Sequence, residues 1–185
     1  MAEDGQRQKF AEVVLPHLDD ALSLARWLTG SSADGEDVVQ EACIRALAAI
    51  GGFRDGSPRA WLLTIVRNTA YSWLRKNRPK ALIVTDDDSV FESASAAGYE
   101  RNDSPNPEAA LIAKADAQML QNGITALPLS FREVLVLRDI DGLSYREMAA
   151  VTALPIGTVM SRLSRARKLL MAQVLRARSQ QQGAA

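Results

Sequence analysis

Thr158, Ser161, Arg162, Arg165 and Lys168 fall within eleven residues of the segment LSYREMAAVTALPIGTVMSRLSRARKLL, Leu143 to Leu170, whose one acidic residue is Glu147. Side chains of these types bind polyanions. A guanidinium can grip a guanine edge with two parallel hydrogen bonds, which discriminates against a wrong base by ~1–3 kcal/mol. A phosphate contact adds affinity and salt dependence but no sequence preference. Basic helix faces are common on solvated surfaces, so these residues need a scaffold that aims them. The segment supplies one: Ser144 and Glu147 stand at the S-x-x-E spacing of a capping box. The short turn TAL follows, and then Pro155-Ile156-Gly157-Thr158 opens a second helix. An exposed helix N-terminus with Gly157 in its first turn suits a phosphate. The pair reads as a helix-turn-helix whose second helix buries Ile156, Val159, Leu163, Ala166 and Leu170 and leaves the cations on other faces.

A second cluster lies earlier. Arg67, Tyr71 and Arg75 recur at four-residue steps with Asn68 beside them. Cations flanking an aromatic ring on one stripe suit single-stranded nucleic acid, where stacking on a ring is worth ~1–3 kcal/mol per base. The loop Phe53–Ser57 precedes this helix and could hold an extruded base. Trp61 and Trp73 read as core. Asp37, Gln40, Glu41 and Arg45 lie away from an apolar stripe of Val39, Cys43, Ala46 and Ile50, as a solvated face or a surface for a protein partner.

The elements that must carry these residues are helical throughout. Phe10, Val14, Leu18, Ala21, Ala25 and Leu28 recur at three- and four-residue steps. They predict a first helix that starts or kinks at Pro16 and ends at Thr29-Gly30. Asp34 is the expected N-cap of the second helix. The third covers about Pro58–Asn77, with Leu62, Ile65, Val66, Thr69 and Trp73 inward. Residues 81–107 are acidic and rich in Ser, Ala and Pro, and read as a flexible linker. As a coil that linker spans roughly 30 Å; fully extended it reaches about 90 Å. Four more helices are expected, at about 108–122, 130–139, 144–151 and 155–177. The fold class is therefore all-α: two small helical domains, 1–80 and 108–178, joined by the linker, the C-terminal one a helix-turn-helix.

Charge distribution supports the reading. Formal net charge is zero over 185 residues. Residues 1–85 hold eleven basic and ten acidic side chains, 86–110 hold one and seven, and 111–185 hold ten and five. An anionic tether thus joins a near-neutral module to a cationic one. No apolar run is long enough for a membrane span. The N-terminus lacks a signal pattern, so a cytoplasmic location is expected. The single cysteine, Cys43, reads as a small packing residue. One histidine, His17, and the absence of P-loop, G-x-G-x-x-G and C-x-x-C patterns argue against an enzyme, a metal site or a cofactor.

Four blocks, ADGEDVVQEACIRAL, FRDGSPRAWLLTIVRNTAYSWLRKNRP, LPLSFREVLVLRDIDGLSYREMAAV and LPIGTVMSRLSRARKLL, together resemble a bacterial group IV sigma factor of the sigma-70 family, the extracytoplasmic-function (ECF) type. The resemblance covers most of both domains in family order. It implies that the first domain binds core RNA polymerase through Asp37, Gln40, Glu41 and Arg45. It implies capture of the melting −10 promoter element at Phe53, Arg67, Asn68, Tyr71 and Arg75. The second domain would read the −35 element as duplex through Thr158, Ser161, Arg162, Arg165 and Lys168, and an anti-sigma factor would restrain the whole. Met160 and Ser164 depart from the family at positions where relatives often carry a base-facing Arg or a bulky residue. The loop between Phe53 and Trp61 is slightly short. Two other readings remain: a plain helix-turn-helix regulator, which leaves EDVVQEA and the Arg67 stripe without a task, and a sigma-like protein that only sequesters an anti-sigma factor, which has no need of the cations.

Overall fold

The computed structural model describes residues 2–82 and 107–182, with side chains described over 5–82 and 116–180. Eight α-helices are present among them: α1 (Ala2–Val13), α2 (Leu18–Thr29), α3 (Ser32–Ala49), α4 (Pro58–Asn77), α5 (Pro107–Ala126), α6 (Leu129–Leu135), α7 (Tyr145–Thr152) and α8 (Ile156–Gln182). The expected acidic linker falls almost entirely outside the described residues.

Pro16 divides what the periodicity joins. The 3-10 turn Leu15–His17 separates α1 from α2, because proline has no N–H to continue the hydrogen-bond ladder. Gly30, at φ 71°, closes α2 in the left-handed conformation that glycine adopts without strain. The N-cap of α3 is Ser31, whose hydroxyl accepts from the Asp34 amide at 3.3 Å; Asp34 sits in the first turn, facing the positive end of the helix dipole. The buried face of α3 is Gly35, Val38, Ala42 and Ala46, continued by Ile50 in the turn that follows, with Val39 and Cys43 at its edge. Ala46 and Ile50 are buried as expected, while in the first half of the helix Val38 and Ala42 take the places expected of Val39 and Cys43, because small residues buried at Gly35 and Ala42 carry little hydropathy signal. A Cβ at Gly35 would lie 2.7 Å from Arg26 Cγ and 2.9 Å from Arg26 Cα, so α3 crosses α2 almost in backbone contact. α4 closes the first bundle on Leu62, Leu63, Val66, Ala70 and Leu74, with Trp61 and Trp73 packed half-buried at its margin.

In the second unit, α6 runs on into a wider turn, Val136–Ile140, and Gly142, at φ 71°, redirects the chain into α7. The capping box is formed: the Ser144 hydroxyl accepts from the Glu147 amide, and the Ser144 amide donates back to the Glu147 carboxylate at 2.9 Å. The turn between α7 and α8 pivots on Ala153 at φ 55°, a left-handed residue that makes it tight. α8 buries Val159, Leu163 and Ala166 against α6 and α7. α5 lies along its distal half, where Gly123 leaves room for Leu170. The two bundles touch, α4 against α7 and α2 against α6.

Candidate nucleic-acid interface

On α8, Ser161, Arg165 and Lys168 are exposed, while Thr158 and Arg162 are half-buried. The Ser161 hydroxyl donates to the Thr158 carbonyl at 3.1 Å, which leaves its oxygen free to accept. Arg167 is turned aside, paired with Asp139 at 2.6 Å. Burial of Val159, Leu163 and Ala166 places Gly157, Ser161, Ser164, Arg165 and Lys168 on the opposite side of the helix. Ile156, expected in the core, is instead 45% exposed, and Met160 one turn on is 49% exposed. The apolar stripe therefore begins at Val159, and the first two turns of α8 present two large apolar side chains beside its cations. An apolar side chain in a major groove meets the thymine methyl group.

The α3 residues expected to form a solvated or partner-binding face, Asp37, Gln40, Glu41 and Arg45, are all exposed, Arg45 paired with Glu41 at 2.8 Å. Ile44 (66% exposed) and Leu47 (42% exposed) lie among them. Sequence reasoning missed these two. An apolar pair inside a charged face is the usual make-up of a protein interface.

The Arg67 stripe is arranged differently from the expectation of an open surface. Asn68 and Arg75 are exposed, but Arg67 and Tyr71 point at the second domain. Arg67 Nε donates to Glu133 Oε1 at 2.5 Å, and the Tyr71 hydroxyl donates to Glu133 Oε2 at 3.2 Å. The Arg67 guanidinium also stands 4.4 Å from the centre of the Tyr71 ring, a cation–π contact. Glu133 is fully buried. Burial pushes its carboxyl up from the ordinary range, opposed by Arg67 and Tyr71. Tyr71 is pushed well above its ordinary value, first by burial and then by the Glu133 charge. Burial also works against the Arg67 charge, yet Glu133 holds its guanidinium more firmly protonated than usual. Arg162 of α8 adds its field to both Glu133 and Tyr71. Phe53 packs half-buried on Trp61, ring centres 5.2 Å apart, and its carbonyl accepts from Lys9.

Around this cluster runs a polar seam. Arg59 holds both Asp20 oxygens at 2.7 Å and donates to the Asp141 carbonyl. Ser23 donates to Asp141 Oδ1 at 2.8 Å, Ser57 to Glu147 at 3.2 Å, and Arg132 to the Trp27 carbonyl at 3.1 Å. Glu133 and Asp141 could have been suspected from sequence: each is a carboxylate next to the apolar run of SFREVLVLRDIDG. What each pairs with depends on docking of distant helices, which periodicity does not encode.

Residues 13–80 match the family described as Sigma-70 region 2, and residues 117–170 that described as Sigma-70, region 4. The chain is 35% identical over 169 residues to the RNA polymerase sigma-H factor of Pseudomonas aeruginosa, covering 90% of this chain and 86% of that one. It is 34% identical over 172 residues to the ECF RNA polymerase sigma-E factor of Escherichia coli, covering 91% and 87%. Among solved structures it resembles the sigma factor RpoE of Bartonella quintana, determined with the anti-sigma factor NepR, at TM-score 0.68 and 31% identity over 89% of this chain and 96% of that one. It also resembles CnrH, determined with the cytosolic domain of CnrY, at TM-score 0.62 and 28% identity over 95% and 93%. With a region-2 bundle, a region-4 helix-turn-helix and relatives of this identity along nearly the whole length, the chain belongs to the ECF group of the sigma-70 family of RNA polymerase sigma factors.

Proposed function

We propose that this sigma factor binds core RNA polymerase through the α3 face of Asp37, Gln40, Glu41 and Arg45, and directs it to a subset of promoters. In this reading domain 1–80 captures the melted −10 element with Phe53, Arg67, Asn68, Tyr71 and Arg75. Domain 108–178 reads the −35 duplex with Thr158, Ser161, Arg162, Arg165 and Lys168, and the acidic segment 81–107 tethers the two. The observation that carries it is α8: cations and hydroxyls exposed opposite a buried stripe, on the second helix of a capped helix-turn-helix. Catalysis belongs to the polymerase, and the chain acts in the cytoplasm, where the polymerase is. No described helix is long and apolar enough to cross a membrane. Both solved relatives were determined in complex with a protein, the anti-sigma factor NepR in one and the cytosolic domain of CnrY in the other. We assign this chain an anti-sigma partner on that basis. Run-off transcription on fragmented genomic DNA tests the function: the chain plus core polymerase yields discrete transcripts and neither component alone does. Transcripts of the same set from core polymerase alone would refute it.

A further inference from the structure

Apolar exposure is not spread evenly along α8. Ile156 and Met160, one turn apart, are each nearly half exposed. From Ser161 to Leu170 the exposed residues are Ser161, Ser164, Arg165, Arg167 and Lys168, all polar. The large apolar side chains thus stand in the first two turns, the end of a helix-turn-helix reading helix that reaches base edges.

We propose that Met160 is a specificity-determining residue: in the −35 duplex its side chain lies against a thymine methyl group, so the promoters of this chain carry thymine at that step. The inference rests on the sigma-factor reading above and names one base that α8 selects. Three observations carry it. First, Met160 cannot satisfy a polar base edge, since its thioether is a weak acceptor and donates nothing. Guanine O6 and N7, adenine N6 or cytosine N4 pressed against it would lose water and gain no partner. Thymine offers a carbon at the major-groove edge, its C5 methyl. Second, the surroundings admit a base edge. Arg165 and Lys168 are exposed further along α8, where a phosphate contact would seat the helix. Outside its own helix and chain neighbours, nothing lies within 4 Å of a Cβ placed at Gly157. Ser164, one turn beyond Met160, is small and exposed. Third, no spare guanidinium stands beside Met160 to grip guanine in its place. Arg167, two turns beyond on the same face, is held by Asp139 at 2.6 Å.

The test uses the full chain with core polymerase and a promoter recovered by run-off transcription. Each thymine of the −35 element, on both strands, is replaced in turn by uracil, which lacks only the methyl group, and the affinity of the assembled complex is measured by competition. At one thymine, or two adjacent ones, uracil weakens binding about fourfold, the worth of one buried carbon group. Met160→Ala binds thymine and uracil equally there. Arg165→Ala binds both more weakly and keeps the fourfold ratio. A −35 element with no methyl-sensitive thymine, a ratio that Met160→Ala retains, or a ratio lost equally in Arg165→Ala overturns the proposal. Those outcomes leave the sigma-factor reading standing, whereas an absence of transcripts from chain plus core polymerase sinks that reading and the proposal with it.

Discussion

Acidification should close the molecule, and Asp141 sets the size of the effect. Its carboxyl is pushed up to about 6 from 3.8, first by burial; the Ser23 hydrogen bond opposes this, Asp20 adds to it and Arg59 opposes it. Ser23, Asp20 and Arg59 all belong to the first domain, so the shift is a property of the closed form. When the domains part, the carboxyl returns to its ordinary range. A carboxyl that holds its proton more tightly when closed makes closing take up a proton. Closure therefore strengthens as pH falls through 6 and levels off below 3.8. Between pH 8 and pH 5 the two titrations change the closing constant about tenfold, or ~1.4 kcal/mol. Glu133, raised by burial despite Arg67, acts in the same direction. Glu147 acts weakly against it: Ser57 and Arg59 help to hold its carboxyl down, although its own Ser144 dominates. The assay is energy transfer over that pH range between a donor dye on Gln8→Cys of α1 and an acceptor dye on Met171→Cys of α8, both exposed positions, in a Cys43→Ser background, repeated with Asp141→Asn. The wild type closes as pH falls, and the Asn variant loses most of the slope. A flat profile, an opposite sign, or a full slope retained by Asp141→Asn refutes the reasoning.

Arg165→Ala should weaken binding to a −35 duplex and, if the guanidinium meets a phosphate, reduce the slope of log affinity against log salt by about 1; unchanged affinity and unchanged slope in a binding titration place Arg165 off the DNA. Replacing Asp37 and Gln40 together by Ala should lower retention on immobilised core polymerase and leave duplex affinity unaltered, and equal retention would move the docking face elsewhere. Methyl loss from a thymine read by Met160, made by uracil substitution in the −35 duplex, should weaken the wild type severalfold and leave Met160→Ala indifferent; equal losses in both contradict an apolar contact. Gly35→Ala should lower unfolding stability by ~1–3 kcal/mol in denaturant titration, because the new methyl meets Arg26 backbone atoms at 2.9 Å.

Local signals were legible where one residue decides a boundary. Ser57 and Pro58 open α4, which ends at Asn77 as the sequence suggests, and Ser144 with Glu147 starts α7 as a formed capping box. The helix-turn-helix followed from the same chemistry. Errors arose where tertiary contact overrides pattern. Gly35 and Ala42 are buried because α2 and α3 approach closely, which puts Val38 and Ala42 rather than Val39 and Cys43 inward in the first half of α3, while Ala46 and Ile50 are buried as expected. Ile156 reads as core by spacing, yet it is 45% exposed among the described residues. The exposure of Asp37, Gln40, Glu41 and Arg45 was readable. The burial of Arg67 and Tyr71 against Glu133 was not, since it joins residues 66 and 62 positions apart.

The most direct measurement is the energy transfer between α1 and α8 in the complex of dye-labelled chain, core polymerase and a promoter recovered by run-off transcription. The account predicts a fall from high transfer in the free chain to near zero on the promoter, as the domains part by tens of ångströms to span ~85 Å of duplex. Transfer that stays high in complexes that go on to make transcript would contradict it.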